Sequence, residues 1–335
     1  MRILFIGGTG TISSACVRTA LKRGMKVSTI NRGVSDRRDL PPDVEALVAD
    51  AQQIEQLSDA LAGRTFDVVA DFRAFTPGEV QARLDLFRGR VGQYVFISSA
   101  TVYQKPPALN PIVESAPLSN PGWRYARDKI ASEDMLTGAY RDERYPVTIV
   151  RPSHTYDRRT PPVYGGWTQI DRMRRGRPVV VHGDGTSLWT LTHSSDFAVG
   201  FVGLLGDPRT FGQAFHITSD QVFSWNQIYE ILAAAAGAPA PKLVHVTSET
   251  IAAADPDWGD ALLGDMAHSL VFDNTKLKRL VPDFATRTSF PSAAREIIAW
   301  FDSDPARQRV DERLEAVVES LLAALPVVPP ASARS

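Results

Sequence analysis

Residues 1–13 read Met1-Arg2-Ile3-Leu4-Phe5-Ile6-Gly7-Gly8-Thr9-Gly10-Thr11-Ile12-Ser13. Ile3–Ile6 is a short apolar run of the kind that forms a buried strand, and glycines follow it at once. A helix is predicted near Thr11–Arg23, which places the glycines in a strand–turn–helix context. Free backbone N–H groups at that helix N-terminus, with the positive end of the helix dipole, make an anion site. Gly7 and Gly10 have no Cβ, so the backbone there can approach a pyrophosphate. The spacing is G-x-x-G-x-x-G with Ser13 in the third glycine place, which predicts slightly looser packing of helix on strand. Gly7, Thr9, Gly10, Thr11 and Ile12 are therefore the candidate contacts of a dinucleotide.

Outward from this turn, short apolar strands are predicted at Val27–Ile30, Glu45–Val48, Asp67–Ala70, Tyr94–Ile97 and Val147–Val150. Helices are predicted near Gln53–Leu61, at Pro77–Phe87 and at Tyr125–Leu136. This alternation with short connections predicts a parallel sheet covered on both faces. The second strand runs into Ile30-Asn31-Arg32-Gly33, with no acid to accept from a ribose hydroxyl. Asn31 and Arg32 are the candidates at this edge, and the guanidinium suits a 2′-phosphate, which favours NADP over NAD. Asp50, with Ala51 beside it, closes the third strand and is placed to accept from an adenine amino group.

After Arg151 the pattern loosens. Helices are predicted at Thr168–Arg175, Ser195–Leu205, Ser224–Ala235, Ser292–Phe301 and Ala306–Ala324, the last with Val310, Leu314, Val317, Val318 and Leu321 as its apolar positions. Short strands are predicted at Val179–Val181 and Ala214–Ile217, and residues 326–335 read as a proline-rich tail. The 335 residues carry a net charge of −1, which suggests neither a nucleic-acid nor a membrane partner. Cys16 is the one cysteine, so no intrachain disulfide forms and a cytoplasmic setting is expected. The six histidines show no ligand spacing, so no metal is expected.

Tyr125 and Lys129 stand four apart on a predicted helix and share a face. A nearby ammonium favours the phenolate and brings proton transfer closer to neutral pH. Lys129 is also placed to donate to a nicotinamide ribose. Ser99, just beyond the strand Tyr94–Ile97, supplies a hydroxyl that can hold a substrate oxygen against the tyrosine. GGTGTIS, Asp50, FDVVAD, FISSATVY, YARDK, VRPSHTYD, HGDGTSLWTLTHSSD and FDNTK then follow in order. With these motifs the chain resembles the extended branch of the short-chain dehydrogenase/reductase superfamily, the NAD(P)-dependent epimerases, dehydratases and reductases. The resemblance implies a Rossmann-type doubly wound α/β sheet with a smaller C-terminal α/β substrate domain, and often a homodimer. It implies a dinucleotide-binding domain over 1–150, rejoined by parts of 190–220, and a substrate domain mainly over 151–325. It also implies Ser99, Tyr125 and Lys129 as the catalytic set.

The departures from the family pattern concern the substrate. Dehydratases of this branch usually carry an Asp-Glu pair after the active-site hydroxyl residue, where this chain has Ala100 and Thr101. Relatives that grip a nucleotide diphosphate usually have an arginine after the G-D-G turn, where this chain has Trp189. Between Val244 and Leu270 there is no arginine or lysine. Arg73, Arg158 and Arg159 are the arginines that could substitute. Arg73, Thr101, His154, Tyr156 and Trp189 are the candidate substrate contacts, with Trp189 expected to pack on the apolar face of a sugar. The expected function is NAD(P)-dependent oxidation–reduction or epimerisation at a hydroxyl or ketone of a sugar-like small molecule. A simple ketone or aldehyde reductase is the first alternative, and a non-catalytic NADP-sensing or nucleic-acid-associated protein the second.

Overall fold

A computed structural model describes residues 1–33 and 40–324 of the chain. Its centre is a seven-stranded parallel sheet. In chain order the first half runs β1 (Arg2–Ile6), α1 (Ser13–Lys22), β2 (Lys26–Asn31), β3 (Glu45–Val48), α2 (Ile54–Ala60), β4 (Phe66–Asp71), α3 (Pro77–Phe87), β5 (Val91–Ile97), α4 (Arg124–Glu143) and β6 (Val147–Pro152). The second half continues with β7 (Thr155–Tyr156), α5 (Trp167–Arg174), β8 (Val179–His182), β9 (Leu188–Thr190), β10 (Thr192–His193), α6 (Ser194–Gly203) and β11 (Gln213–Ile217). It ends with β12 (Val222–Ser224), α7 (Trp225–Ala235), β13 (Leu243–Val246), α8 (Ser248–Ala254), α9 (Pro256–Ala261), α10 (Thr275–Leu280), α11 (Phe290–Asp302) and α12 (Glu312–Ala323).

The sheet order is β11-β6-β5-β4-β1-β2-β3. Successive side chains of a strand point to opposite faces, and β1 shows it. Leu4 and Ile6 pack with Val69, Tyr94 and Phe96 on one face, while Ile3 and Phe5 pack with Val17, Phe197 and Phe201 on the other. Because both faces are covered, the strand reads as a continuous apolar run. Local chemistry sets the helix starts: Thr76 and Glu79 form a reciprocal capping box around α3, with Pro77 in its first turn. The strand order reverses between β1 and β4, and open α/β sheets bind ligands at such a switch point, beyond the carboxyl ends of the strands.

The second half builds its own core around Trp167, Trp189, Trp225, Phe290 and Phe301. Helix α12 packs through Leu314, Val318 and Leu321 into a separate cluster with Val180, Val246, Ile251, Trp258 and Leu262, and the buried Arg172 reaches Glu315 at 2.5 Å and Glu319 at 2.8 Å. The last helix starts six residues later than its composition predicts. Asp304 caps a separate short turn at Pro305–Arg307, and Asp311 caps α12 through the Leu314 N–H, so Val310 lies outside the helix. The predicted tail lies outside the described residues.

Candidate active site

A cleft of about 600 Å³ opens at the switch point. At one end lie Gly7, Thr9, Gly10, Thr11, Ile12 and Ser13, the turn between β1 and α1. Gly7 has φ +89°, and a Cβ built there would meet Arg73 Cγ at 2.6 Å, so this turn needs glycine for both its backbone and its space. Ser13 corrects the sequence expectation. It is buried, its hydroxyl donates to the Gly7 carbonyl at 2.6 Å, and it accepts from the Gly10 N–H at 2.8 Å. The hydroxyl ties the turn to the helix, so packing there is tight.

The other dinucleotide candidates lie along the same sheet edge but outside the cleft. The Asn31 side chain ends β2 and accepts from the Thr9 hydroxyl at 3.1 Å. Asp50 accepts from the Gln52 N–H at 3.0 Å, and the Ala51 carbonyl accepts from the buried Arg83. Arg32 is exposed, and the next six residues lie outside the described part of the chain. Among the residues in the cleft, the buried Ser98 and Thr101 hydroxyls have no hydrogen-bond partner among the described residues. A cradle that only glycine allows and two orphaned hydroxyls fit a polar, phosphate-bearing cofactor.

Tyr125 and Lys129 both line the cleft, on one face of α4, and Ser99 faces them from the end of β5. The Lys129 ammonium is buried and donates to the carbonyls of Ala74 at 2.8 Å and Ile97 at 2.7 Å. It stands 5.8 Å from the Tyr125 ring centre. Burial pushes Lys129 down to about 8, against the pull of Asp71, Glu133 and Glu79. Tyr125 is pushed above its ordinary value by burial; a hydrogen bond with Ser99 opposes this and the Asp265 carboxylate adds to it. Two of the three N–H donors of that ammonium are taken by backbone carbonyls, and among the described residues no hydrogen bond joins it to the Tyr125 phenol.

The Lys129 shift has a consequence for stability. Its folded value of about 8 lies below the ordinary lysine value of about 10.4, so between those limits the unfolded chain binds more protons. Stability from this group is reduced at neutral pH and recovers as pH rises through that window. We expect Lys129→Met to flatten the rise in urea midpoint between pH 7.5 and 9.5. A slope equal to that of the parent protein would contradict the burial of a charged Lys129.

The substrate candidates divide. Arg73, Thr101, His154 and Trp189 line the cleft, and Tyr156 does not. Tyr156 is 1% exposed and packs edge-on to His193 and Phe290 in the core of the second half. Trp189 is also 1% exposed, and its indole N–H donates to His154 Nδ1 at 3.0 Å. The ring leans on Trp225 and edges the cleft, so it buttresses His154 and offers no broad stacking face. Burial lowers His154 to about 4, which keeps it neutral with its proton on Nε2. Arg158 and Arg159 line a separate cavity with Arg18 and Lys22.

Sequence reasoning missed Asp265 and Met266, which enter the cleft from a π-helical turn, Leu262–Met266. That turn follows α9 and breaks its hydrogen-bond register, and no apolar periodicity marks it.

The family model that matches residues 3–218 is described as the NAD dependent epimerase/dehydratase family. A 2'-dehydrokanamycin reductase of Streptomyces kanamyceticus is 28% identical over 98% of this chain and 92% of its own length. A chloroplast stem-loop binding protein of 41 kDa of Arabidopsis thaliana is 27% identical over 73% of this chain, a match that spans 65% of that protein. Among solved structures, Pal from Bacillus thuringiensis superposes with a TM-score of 0.75 at 20% identity, covering 90% of this chain and 99% of that one. DesIV of Streptomyces venezuelae, a dTDP-glucose 4,6-dehydratase crystallised with NAD, gives a TM-score of 0.73 at 19% identity, covering 91% of this chain and 98% of that one. With the glycine turn, the switch-point cleft and a match over more than half its length, the chain belongs to the NAD-dependent epimerase/dehydratase family.

Proposed function

We propose that the protein is an NAD(P)H-dependent reductase of a ketone on a sugar-like molecule that carries no nucleotide diphosphate. The observation that supports this most is the charge of the cleft. Around Tyr125 stand Ser99, Thr101, Trp123, His154, Trp189 and Asp265. Among the described residues, Arg73 is the one guanidinium in the cleft, and it lies over Gly7 at the cofactor end. A diphosphate beside Tyr125 would meet a carboxylate and no arginine, and burying it unpaired is prohibitive. The relative matched along 98% of the chain is named as a reductase, which agrees with this reading. The absence of an acid pair at Ala100 and Thr101 argues against dehydration.

A nicotinamide dinucleotide would supply the hydride. Gly7, Thr9, Gly10, Thr11 and Ile12 would hold its pyrophosphate, Asn31, Arg32, Asp50 and Ala51 would receive its adenosine half, and Lys129 would position its ribose. Arg32 favours NADP. The Tyr125 phenol gives its proton to the substrate oxygen as the carbonyl becomes an alcohol, and Ser99 orients that oxygen and donates to the resulting phenolate. Water restores the phenol proton. Burial keeps Tyr125 protonated, the state a proton donor needs.

A net reductase must release its oxidised cofactor each turn, whereas an epimerase returns hydride to the same substrate and keeps it. Isotope-labelled NADP⁺ should therefore exchange into the purified protein within seconds, read by native mass spectrometry. A dinucleotide that survives purification and resists exchange for hours would favour an epimerase.

A further inference from the structure

Strands β5 and β6 are parallel neighbours, with Ile97 opposite Val150. Two residues further along that register, Ser99 comes level with Pro152, and strands so paired lie about 4.8 Å apart. His154 stands two residues beyond Pro152, at the same carboxyl edge of the sheet as Ser99, and both line the cleft. Its backbone is held there: the Thr192 N–H donates to the His154 carbonyl at 2.9 Å, beside the β7–β10 pairing.

The imidazole of His154 has one hydrogen-bond partner. The indole N–H of the buried Trp189 donates to Nδ1 at 3.0 Å, with the two rings edge-on at 89°. An indole nitrogen can only donate, so Nδ1 must offer a lone pair and the imidazole proton sits on Nε2. Trp225 packs on both rings, 5.4 Å from Trp189 and 6.2 Å from His154, and limits their rotation. Nε2 has no hydrogen-bond partner among the described residues, and it is not among the polar atoms sealed from solvent. His216 gives the contrast. Its Nδ1 pairs with the Tyr103 hydroxyl at 3.0 Å and its Nε2 with the Asp273 carbonyl at 2.7 Å, so a histidine that serves packing here has both nitrogens satisfied.

We infer that His154 is a specificity-determining residue, a neutral donor whose Nε2–H binds a substrate oxygen beside the reacting carbonyl, and that Trp189 is the positioning residue that fixes its tautomer. This rests on the reading of the cleft as the reducing site of a sugar-like ketone. In the opposite tautomer Nδ1–H would face the indole N–H, donor against donor, and a buried donor left unpaired costs more than a made bond gains. The imidazole therefore enters the cleft already set as a donor, with little left to order when substrate binds. Burial, which lowers His154 to about 4, keeps that donor uncharged near neutral pH. An uncharged N–H pairs with a hydroxyl, ether or carbonyl oxygen, whereas a substrate ammonium, itself only a donor, finds no acceptor in it. The class this selects is a ketone with an oxygen on a neighbouring carbon.

Two readouts on the full chain test this. In ¹⁵N–¹H correlation spectra of histidine-labelled protein, the His154 signals, assigned by their loss in His154→Gln, should show a single Nε2–H tautomer. Benzothienylalanine at position 189, a tryptophan isostere with sulfur in place of the N–H, should give a mixture that includes Nδ1–H. An unchanged single tautomer there would overturn the role of Trp189. The second readout is NADPH-dependent reduction of 2-hydroxycyclohexanone and of cyclohexanone, taken as the ratio of their kcat/KM values. Comparing that ratio between variants cancels the intrinsic reactivity of the two ketones. His154→Leu should lower it by about three- to tenfold, the worth of one neutral hydrogen bond, with the loss falling on the KM of the hydroxy ketone. His154→Gln, which keeps an N–H, should retain part of the preference. A ratio unchanged in His154→Leu, with both ketones still reduced, would overturn the inference and leave the reductase reading standing. Reduction of neither ketone by the parent protein would count against the reductase reading itself, while the tautomer spectra are read without turnover.

Discussion

Tyr125→Phe is expected to lower kcat/KM for ketone reduction by about 10²- to 10⁴-fold, the range that one positioned proton donor contributes. The substitution removes one oxygen from a half-buried ring and leaves the helix, the ring contacts with Trp123 and the Lys129 carbonyl bonds in place. The glycine turn that holds the pyrophosphate is on a different element, so NADPH affinity measured by fluorescence should stay within about threefold, and the loss should fall on kcat. A variant that keeps more than about a tenth of the parent rate would show that the proton comes from elsewhere. Parallel loss of NADPH binding would mean that the ring supports the cofactor site and that the rate effect is indirect.

The first half of the fold was legible because its signals are local. β1 is an apolar run closed by glycines, α3 starts at a capping box with Pro77, and Glu45–Val48 is bounded as predicted. Strand–helix alternation of that regularity leaves few topologies open. The second half was less legible. Strands such as Thr155–Tyr156 and Thr192–His193 are two residues long and carry no periodicity, and β13 pairs with β8 across more than sixty residues of sequence. Burial, too, is invisible from type alone: Tyr156 and Trp189 have the chemistry of sugar contacts, yet tertiary packing encloses the one and turns the other onto His154.

Within the site, the motif residues came together because their spacing is fixed by single elements. Gly7 to Ser13 is one turn, and Tyr125 and Lys129 are one helical turn apart. Asp265 reaches the cleft only through the fold, from 140 positions downstream of Tyr125, on a turn without hydrophobic pattern. Arg158 and Arg159 show the converse. They follow directly on Tyr156 and Asp157 in a segment whose start, Ser153–Thr155, does line the cleft, but their own cavity is another one, with Arg18 and Lys22.

That placement of charge leads to the second large effect, on what the cleft accepts. A substrate diphosphate carries roughly two negative charges, and each charge-assisted hydrogen bond to it is worth about 1.5–3 kcal/mol. The place after Gly183-Asp184-Gly185 where such a bond would come from an arginine holds Trp189, buried against His154 and Trp225. The C-terminal contribution to the cleft is Asp265, of the wrong sign. Two or more missing bonds correspond to a loss of about 10²-fold or more in affinity. The direct measurement is calorimetric titration of the NADP⁺-loaded protein with UDP-glucose, dTDP-glucose, GDP-mannose and free UDP. No saturable heat below about 1 mM is expected for any of them. Micromolar binding of one, weakened by Arg158→Ala or Arg159→Ala, would contradict a cleft built for a substrate without a nucleotide diphosphate.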